Sequence, residues 1–200
     1  MFKKIMISLC FGLVFSVLLS TANFDASCNE LRNNVLRLHI IANSDSDADQ
    51  QLKLQIRDAI LNNNGEVFCG CNSIEDAVTT AENNLDVFYN TAKEVIAEKG
   101  YDYAVDVYVS SSYFQTRQYE NCQLPAGNYK ALKIVIGEGK GKNWWCVMFP
   151  SVCIPATSNS GLSEKMGAKS ADIAENSQKY VMKFKAVEIY EDLKEKMFGK

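Results

Sequence analysis

A chain of 200 residues with 47% hydrophobic residues, 22% charged residues and only three prolines has the makeup of an ordinary globular protein, long enough for one domain with a core. Its formal charge is −3, and the balance becomes more acidic once Lys3 and Lys4 of the N-terminal segment are set aside, which argues against bulk electrostatic attraction to nucleic acid. No repeat recurs at periods of about 20–50 residues, so solenoid and propeller architectures are excluded as well.

Residues 1–22 read as a signal peptide or membrane anchor. MFKK is a basic start, IMISLCFGLVFSVLL is an apolar run of about fifteen residues, and Ser20 and Ala22 offer small side chains to a signal peptidase. The run falls short of the roughly 20 residues that span a bilayer, which favours cleavage without excluding an anchor. The stretch DASC makes a poor lipoprotein site, because Asp25 stands where an aliphatic residue is wanted. Of the seven cysteines, Cys10 leaves with the leader. The even set that remains (Cys28, Cys69, Cys71, Cys122, Cys146 and Cys153) suits disulfides in an exported protein. Zinc is not supported, since there is one C-x-C pair, no C-x-x-C and a single, distant histidine.

Residues 23–33 are expected as a linker and residues 34–154 as the main domain. VLRLHIIANS (35–44) has strand periodicity, with Leu36, Leu38 and Ile40 on one face and Val35, Arg37, His39 and Ile41 on the other. Ser44, Asp45, Asp47 and Asp49 then supply the N-cap and first-turn acids of a helix. Its buried stripe is Ala48, Leu52, Ile56, Ala59 and Ile60, and residues 62–65 (NNNG) end it. A second, long helix starts at Ser73 with a capping box to Asp76. It buries Ile74, Val78, Ala81, Leu85, Phe88, Ala92 and Val95, and stops at Gly100.

Period two returns at residues 101–109, and YFQTRQY (113–119), YKALKIVI (129–136) and WWCVMF (144–149) follow at short intervals. The predicted class is α+β, with the N-terminal strand and two helices packed on an antiparallel sheet of about four to five strands, and a C-terminal helix. Residues 155–176, polar and small, read as a mobile linker. Residues 177–198 read as an amphipathic helix with Met182, Ala186, Ile189, Tyr190, Leu193 and Met197 on one face, docked on the domain or on a partner.

Four motifs invite chemistry. GEGKGKNWWCVMFP (137–150) is one residue short of a P-loop, has Asn143 where a hydroxyl is needed and is followed by a strand, so a hairpin tip is expected. Adjacent strand residues point to opposite faces, so Trp144 and Trp145 cannot share one core; both are structural if a helix covers the second face, and one is a partner anchor if none does. DSDAD (45–49) begins like a calcium loop, but Gln50 replaces the required glycine and Ile56 the bidentate glutamate, which leaves helix capping. His39 lacks a nucleophile signature and reads as structural or partner-facing. Cys146 and Cys153, spaced C-x6-C around Pro150, are expected to bond to each other.

VLRLHIIANSDSDADQQLKLQIRDAIL, LPAGNYKALKIVIGEGKGKNWWCVMFPSVC and the exported leader together resemble the stage II sporulation protein R family over residues 34–154. The resemblance implies a signalling protein of endospore-forming bacteria, secreted from the forespore into the space between the two membranes. There it would activate a membrane-embedded aspartic protease of the mother cell, which processes the sigma-E precursor. It implies an activator and not an enzyme, with no catalytic residue, cofactor or metal, and with membrane contact only through the leader or the partner. The expected contacts are Lys140, Lys142, Trp144 and Trp145, with Arg37, His39 and Asn43 as a second patch. Two other classes stay open: a secreted hydrolase using His39, and an extracellular carbohydrate-binding module using the tryptophans.

Overall fold

A computed structural model describes residues 2–119, 122–150 and 168–198. In chain order they form α1 (Phe2–Asn33), β1 (Leu36–Ile41), α2 (Asp47–Val67), α3 (Ile74–Asn83), α4 (Leu85–Glu98), β2 (Val105–Phe114), β3 (Arg117–Gln118), β4 (Gln123–Leu124), β5 (Gly127–Ile136) and β6 (Asn143–Phe149). Helix α5 (Ala168–Glu175), a 3-10 turn (Ser177–Tyr180) and α6 (Val181–Phe198) follow. The class is α+β, as the patterning predicts. The chain divides into two units, one drawn from Asn33–Ser112 and Asn128–Lys165, the other from Met1–Arg32, Tyr113–Gly127 and Met166–Lys200.

The first unit is built on a four-stranded sheet in the order β2-β5-β1-β6. This sheet is mixed: β1 runs parallel to β5 and antiparallel to β6. The expected hairpin between β5 and β6 is therefore replaced by a connection that crosses the end of β1. LRLHII is apolar enough to be buried almost throughout, which suits a central strand. Residues 137–142 need only bridge two strand spacings, about 10 Å, to pass over it. Leu36, Leu38 and Ile40 join Leu132, Ile134, Ile136, Cys146 and Met148 in one core with Leu52, Ile56 and Ile60 of α2 and Phe88, Ala92 and Ile96 of α4.

The helices depart from the expected boundaries for local reasons. Helix α2 continues past the NNNG stretch to Val67; a helical glycine costs about 1 kcal/mol, and the extension brings Phe68 into the core, stacked on Phe88 at 6.4 Å. Ala48 of its expected stripe is exposed and Ala59 half-buried, while Asp49 is buried. The single long helix predicted from Ser73 breaks at Asn84, whose amide donates to the Thr80 carbonyl at 2.8 Å, the backbone competition typical of asparagine. The Ser73–Asp76 capping box is present.

In the second unit residues 23–33, expected as linker, are the C-terminal part of α1, and Phe24, Cys28, Leu31 and Arg32 are buried. Phe24 stacks on Tyr180 and meets Phe184 edge-on, with centroids 5.6 and 5.3 Å away. Arg32 donates from Nε to the Ala126 carbonyl at 2.8 Å and lies 3.7 Å from Glu191. Burial pushes the Cys28 thiol up to about 12, so it stays protonated. Ile5, Met6, Ile7, Leu9, Phe11 and Phe15, nearer the N-terminus, are exposed. Among the described residues no helix is long and apolar enough to cross a membrane. The expected 155–176 linker falls outside the described residues up to 167, and its remainder is helical. On α6 the buried side chains are Phe184, Val187 and Glu191, and the predicted face from Met182 to Met197 is exposed.

Candidate partner-binding face

Register places a cation-aromatic group on the side of the sheet away from the α2–α4 core. His39 pairs with Lys133 of β5 and with Trp145 of β6, and paired residues share a face. His39 Nε2 lies 3.1 Å from Asn143 Oδ1, and its ring centroid is 6.1 Å from that of Trp145. Burial lowers the His39 pKa, helped by the nearby charges of Lys133 and Arg37 and opposed by the Asn143 bond, so the ring is neutral at neutral pH. These contacts fix the orientation of a buried imidazole. Lys133 lies 5.7 Å from the ring centre of Tyr108, which is partly exposed. Arg37 sits on the same face but is wholly buried, its guanidinium 4.9 Å from the centre of the Tyr129 ring, so it supports the face from within.

The two tryptophans divide as alternation requires. Trp144 pairs with Ile40 and packs against the core beneath Arg57, whose guanidinium is 4.4 Å from the ring centre. Trp145 takes the opposite face beside His39 and is half-buried. Of the pair, Trp145 is the one that extends the polar face.

The glycine-lysine segment is a clasp over the end of β1. Lys140 and Gly141 donate backbone N–H bonds to the carbonyls of Asn43 and Ala42 at 3.1 and 2.9 Å. Glu138 N–H reaches Asn43 Oδ1 at 3.0 Å, and Lys142 N–H reaches Asp45 at 2.7 Å. Lys53 Nζ donates to the Lys142 carbonyl at 2.8 Å. A Cβ on Gly141 would lie 2.2 Å from the Ser44 carbonyl oxygen, and Gly137 adopts φ +57° beside Asn43, so these glycines serve close approach and a left-handed turn. Asn43 is consequently a structural link. It also donates to the buried Asp49 at 2.9 Å, as Ser44 does at 2.6 Å. Burial raises the Asp49 pKa, but hydrogen bonds from Ser44, Asn43, Tyr103 and Ser46 outweigh it and hold the carboxyl below its ordinary range.

Lys140 and Lys142 project from this clasp into solvent, with Lys140 paired to Glu138 at 2.7 Å. No group of His, Cys, Asp or Glu among the described residues could hold a metal ion. Cys146 is buried on β6, and its expected partner Cys153 lies outside the described residues. Sequence patterning alone did not single out Lys133, Tyr108 or Asn143. The alternation of Lys133 between Leu132 and Ile134 was the available signal.

The HIIANSDSDAD segment and the IGEGKGKNWWC segment, distant in the chain, thus meet in a single structure through β1 pairing and the clasp. Stage II sporulation protein R is the family whose description matches, over residues 32–159. The chain belongs to the stage II sporulation protein R family. Stage II sporulation protein R of Bacillus subtilis (strain 168) is 38% identical over 139 residues, which cover 70% of this chain and 62% of that relative, less than two thirds of its length. No solved structure matches. Membership supports a role in sporulation, and the stage II sporulation protein R match takes in β1 to β6 but neither α5 nor α6.

Proposed function

We propose that this protein is an exported intercellular signal of endospore formation, secreted from the forespore, that activates a membrane-embedded aspartic protease of the mother cell and so triggers processing of pro-sigma-E. The observation that carries the reading is family membership across the sheet and clasp. An N-terminal segment of signal-peptide pattern supports export, and a face of positioned aromatic and cationic groups supports recognition. Activation by a binding protein requires only that it bind the active state of its target more tightly than the inactive one. Lys140, Lys142, Asn143 and Trp145 form the contact in this reading, while Asn43, Arg37 and Trp144 hold it in shape.

Co-expression with the protease and the precursor in a non-sporulating host tests it. The wild-type chain is expected to produce mature sigma-E, and a Lys140→Glu, Lys142→Glu, Trp145→Ala variant to lose at least about tenfold of that activity, since hot-spot losses commonly exceed about 2 kcal/mol. The thermal midpoint of the lysine double variant should match that of wild type. Processing that persists in the triple variant would discard this contact, and its absence with the wild-type chain would discard the activator role.

A further inference from the structure

Helix α6 is apolar on two sides, and among the described residues its own unit buries only one of them. Phe184 and Val187 are buried, and Phe184 packs edge-on against Phe24. On the opposite side Met182, Ala186, Ile189, Leu193 and Met197 recur in steps of three and four, which makes a single stripe. Met182 is 83% exposed and Met197 67%, with Ile189 and Leu193 each more than half exposed between them.

The charges of the helix decide what this stripe suits. At about 100° per residue, Lys185 and Lys196 fall along one border of the stripe and Lys183 and Lys194 along the other. The acids lie away from it: Glu191 faces Arg32 at 3.7 Å, and Asp192, the acid nearest a border, is held inward by the Tyr113 hydroxyl. Side-chain exposure follows the same division, 64% for Lys185 against 26% for Glu188, and 54% for Lys194 against 5% for Glu191. A second copy of the helix would set lysine borders against lysine borders, a like-charge arrangement that opposes pairing. An anionic phospholipid surface takes both features at once, with the apolar stripe entering the headgroup-acyl boundary and the lysine stems reaching back to the phosphates.

We infer that α6 is an anionic-lipid contact that lies in the plane of a membrane surface with Met182, Ile189, Leu193 and Met197 inserted. Phe24 meets α6 at Phe184 and Arg32 meets it at Glu191, so α6 and this part of α1 run side by side in the same direction. The exposed stripe faces away from Phe24 and Arg32, so residues 24–32 lie on the far side of α6 from such a surface. The inference is separate from the protease contact, whose residues it does not touch.

Photocrosslinking from defined positions tests it on the full chain. Benzoylphenylalanine replaces Leu193 in one preparation and Asn90, exposed on α4, in a second, and each is irradiated with vesicles of phosphatidylglycerol or of phosphatidylcholine. Insertion of the leader would bring both preparations to both vesicles alike, so the ratio between the two positions isolates α6. Lipid adducts on phosphatidylglycerol are expected to be at least about fivefold more frequent at position 193 than at position 90. The ratio should fall at least about threefold on phosphatidylcholine and in a Lys185→Glu, Lys194→Glu variant. Equal ratios on the two lipids, no excess at position 193, or adducts that join two chains each overturn the inference.

Discussion

His39 is the only histidine in the chain, so the proton it takes up on unfolding has a clear signature between neutral and mildly acidic pH. Burial lowers its native pKa from the ordinary value of 6.5, while the unfolded chain keeps that value. Below 6.5 the unfolded state therefore binds the proton first, and stability present above this pH is lost as pH falls toward the lower native pKa. Urea denaturation between about pH 7.5 and pH 5.5 should show stability declining on acidification, no more steeply than about 1.4 kcal/mol per pH unit, the limit for one proton. A His39→Gln variant should flatten this limb. A limb that survives the substitution would show that the buried ring is not its source. The alternation that set His39 opposite Leu38 was legible in the sequence. The burial of Arg37 was not, because alternation assigns a residue to a face without saying how deeply it is buried there.

Among elements, the clasp departs most from the local reading. Its glycines look like the tip of a hairpin because short connections usually join neighbouring strands, and nothing in the period-two pattern of YKALKIVI or WWCVMF reveals that β1 lies between them. The same limit hides the break at Asn84, where helical spacing continues through a residue that bonds its own backbone. Strand and helix identities were legible because they depend on near neighbours; strand order was not, because it depends on segments about a hundred residues apart. The clasp makes its own prediction. Gly141→Ala would press a methyl against the Ser44 carbonyl, which is backbone and cannot rotate aside. It should cost about 1–3 kcal/mol in chemical denaturation, in the range of other overpacked sites. Lys140→Ala, which removes only a solvent-exposed pair with Glu138, should leave the denaturation midpoint where it is. If both variants behave alike, the segment is a mobile tip after all.

At the scale of the whole molecule, one unit holds the recognisable motifs and the other is gathered from three separated stretches, residues up to Arg32, Tyr113–Gly127 and Met166 onward. Read alone, the three stretches are a leader and linker, a short strand, and a linker followed by an amphipathic helix, and the spacing of Phe24, Cys28 and Leu31 was the available sign that residues 23–33 are helical and buried. The salt bridge there is demanding, since the side chains of Arg32 and Glu191 are only 4% and 5% exposed. A chain that begins at Asn23, as cleavage after Ala22 would leave it, keeps Phe24, Cys28, Leu31 and Arg32. One that begins at Asn34 strips Phe24 from Phe184 and leaves the Glu191 carboxylate buried without its guanidinium. Hydrogen exchange over residues 168–198 should be as slow in the Asn23 chain as in the full chain and at least about a hundredfold faster in the Asn34 chain. Arg32→Met removes the ion pair together with the bond to the Ala126 carbonyl and should cost about 3 kcal/mol, near the lower end for breaking a buried pair, because Lys194 also lies 3.6 Å from Glu191. Unaltered exchange in the Asn34 chain would mean that residues 23–33 are the linker their composition suggests.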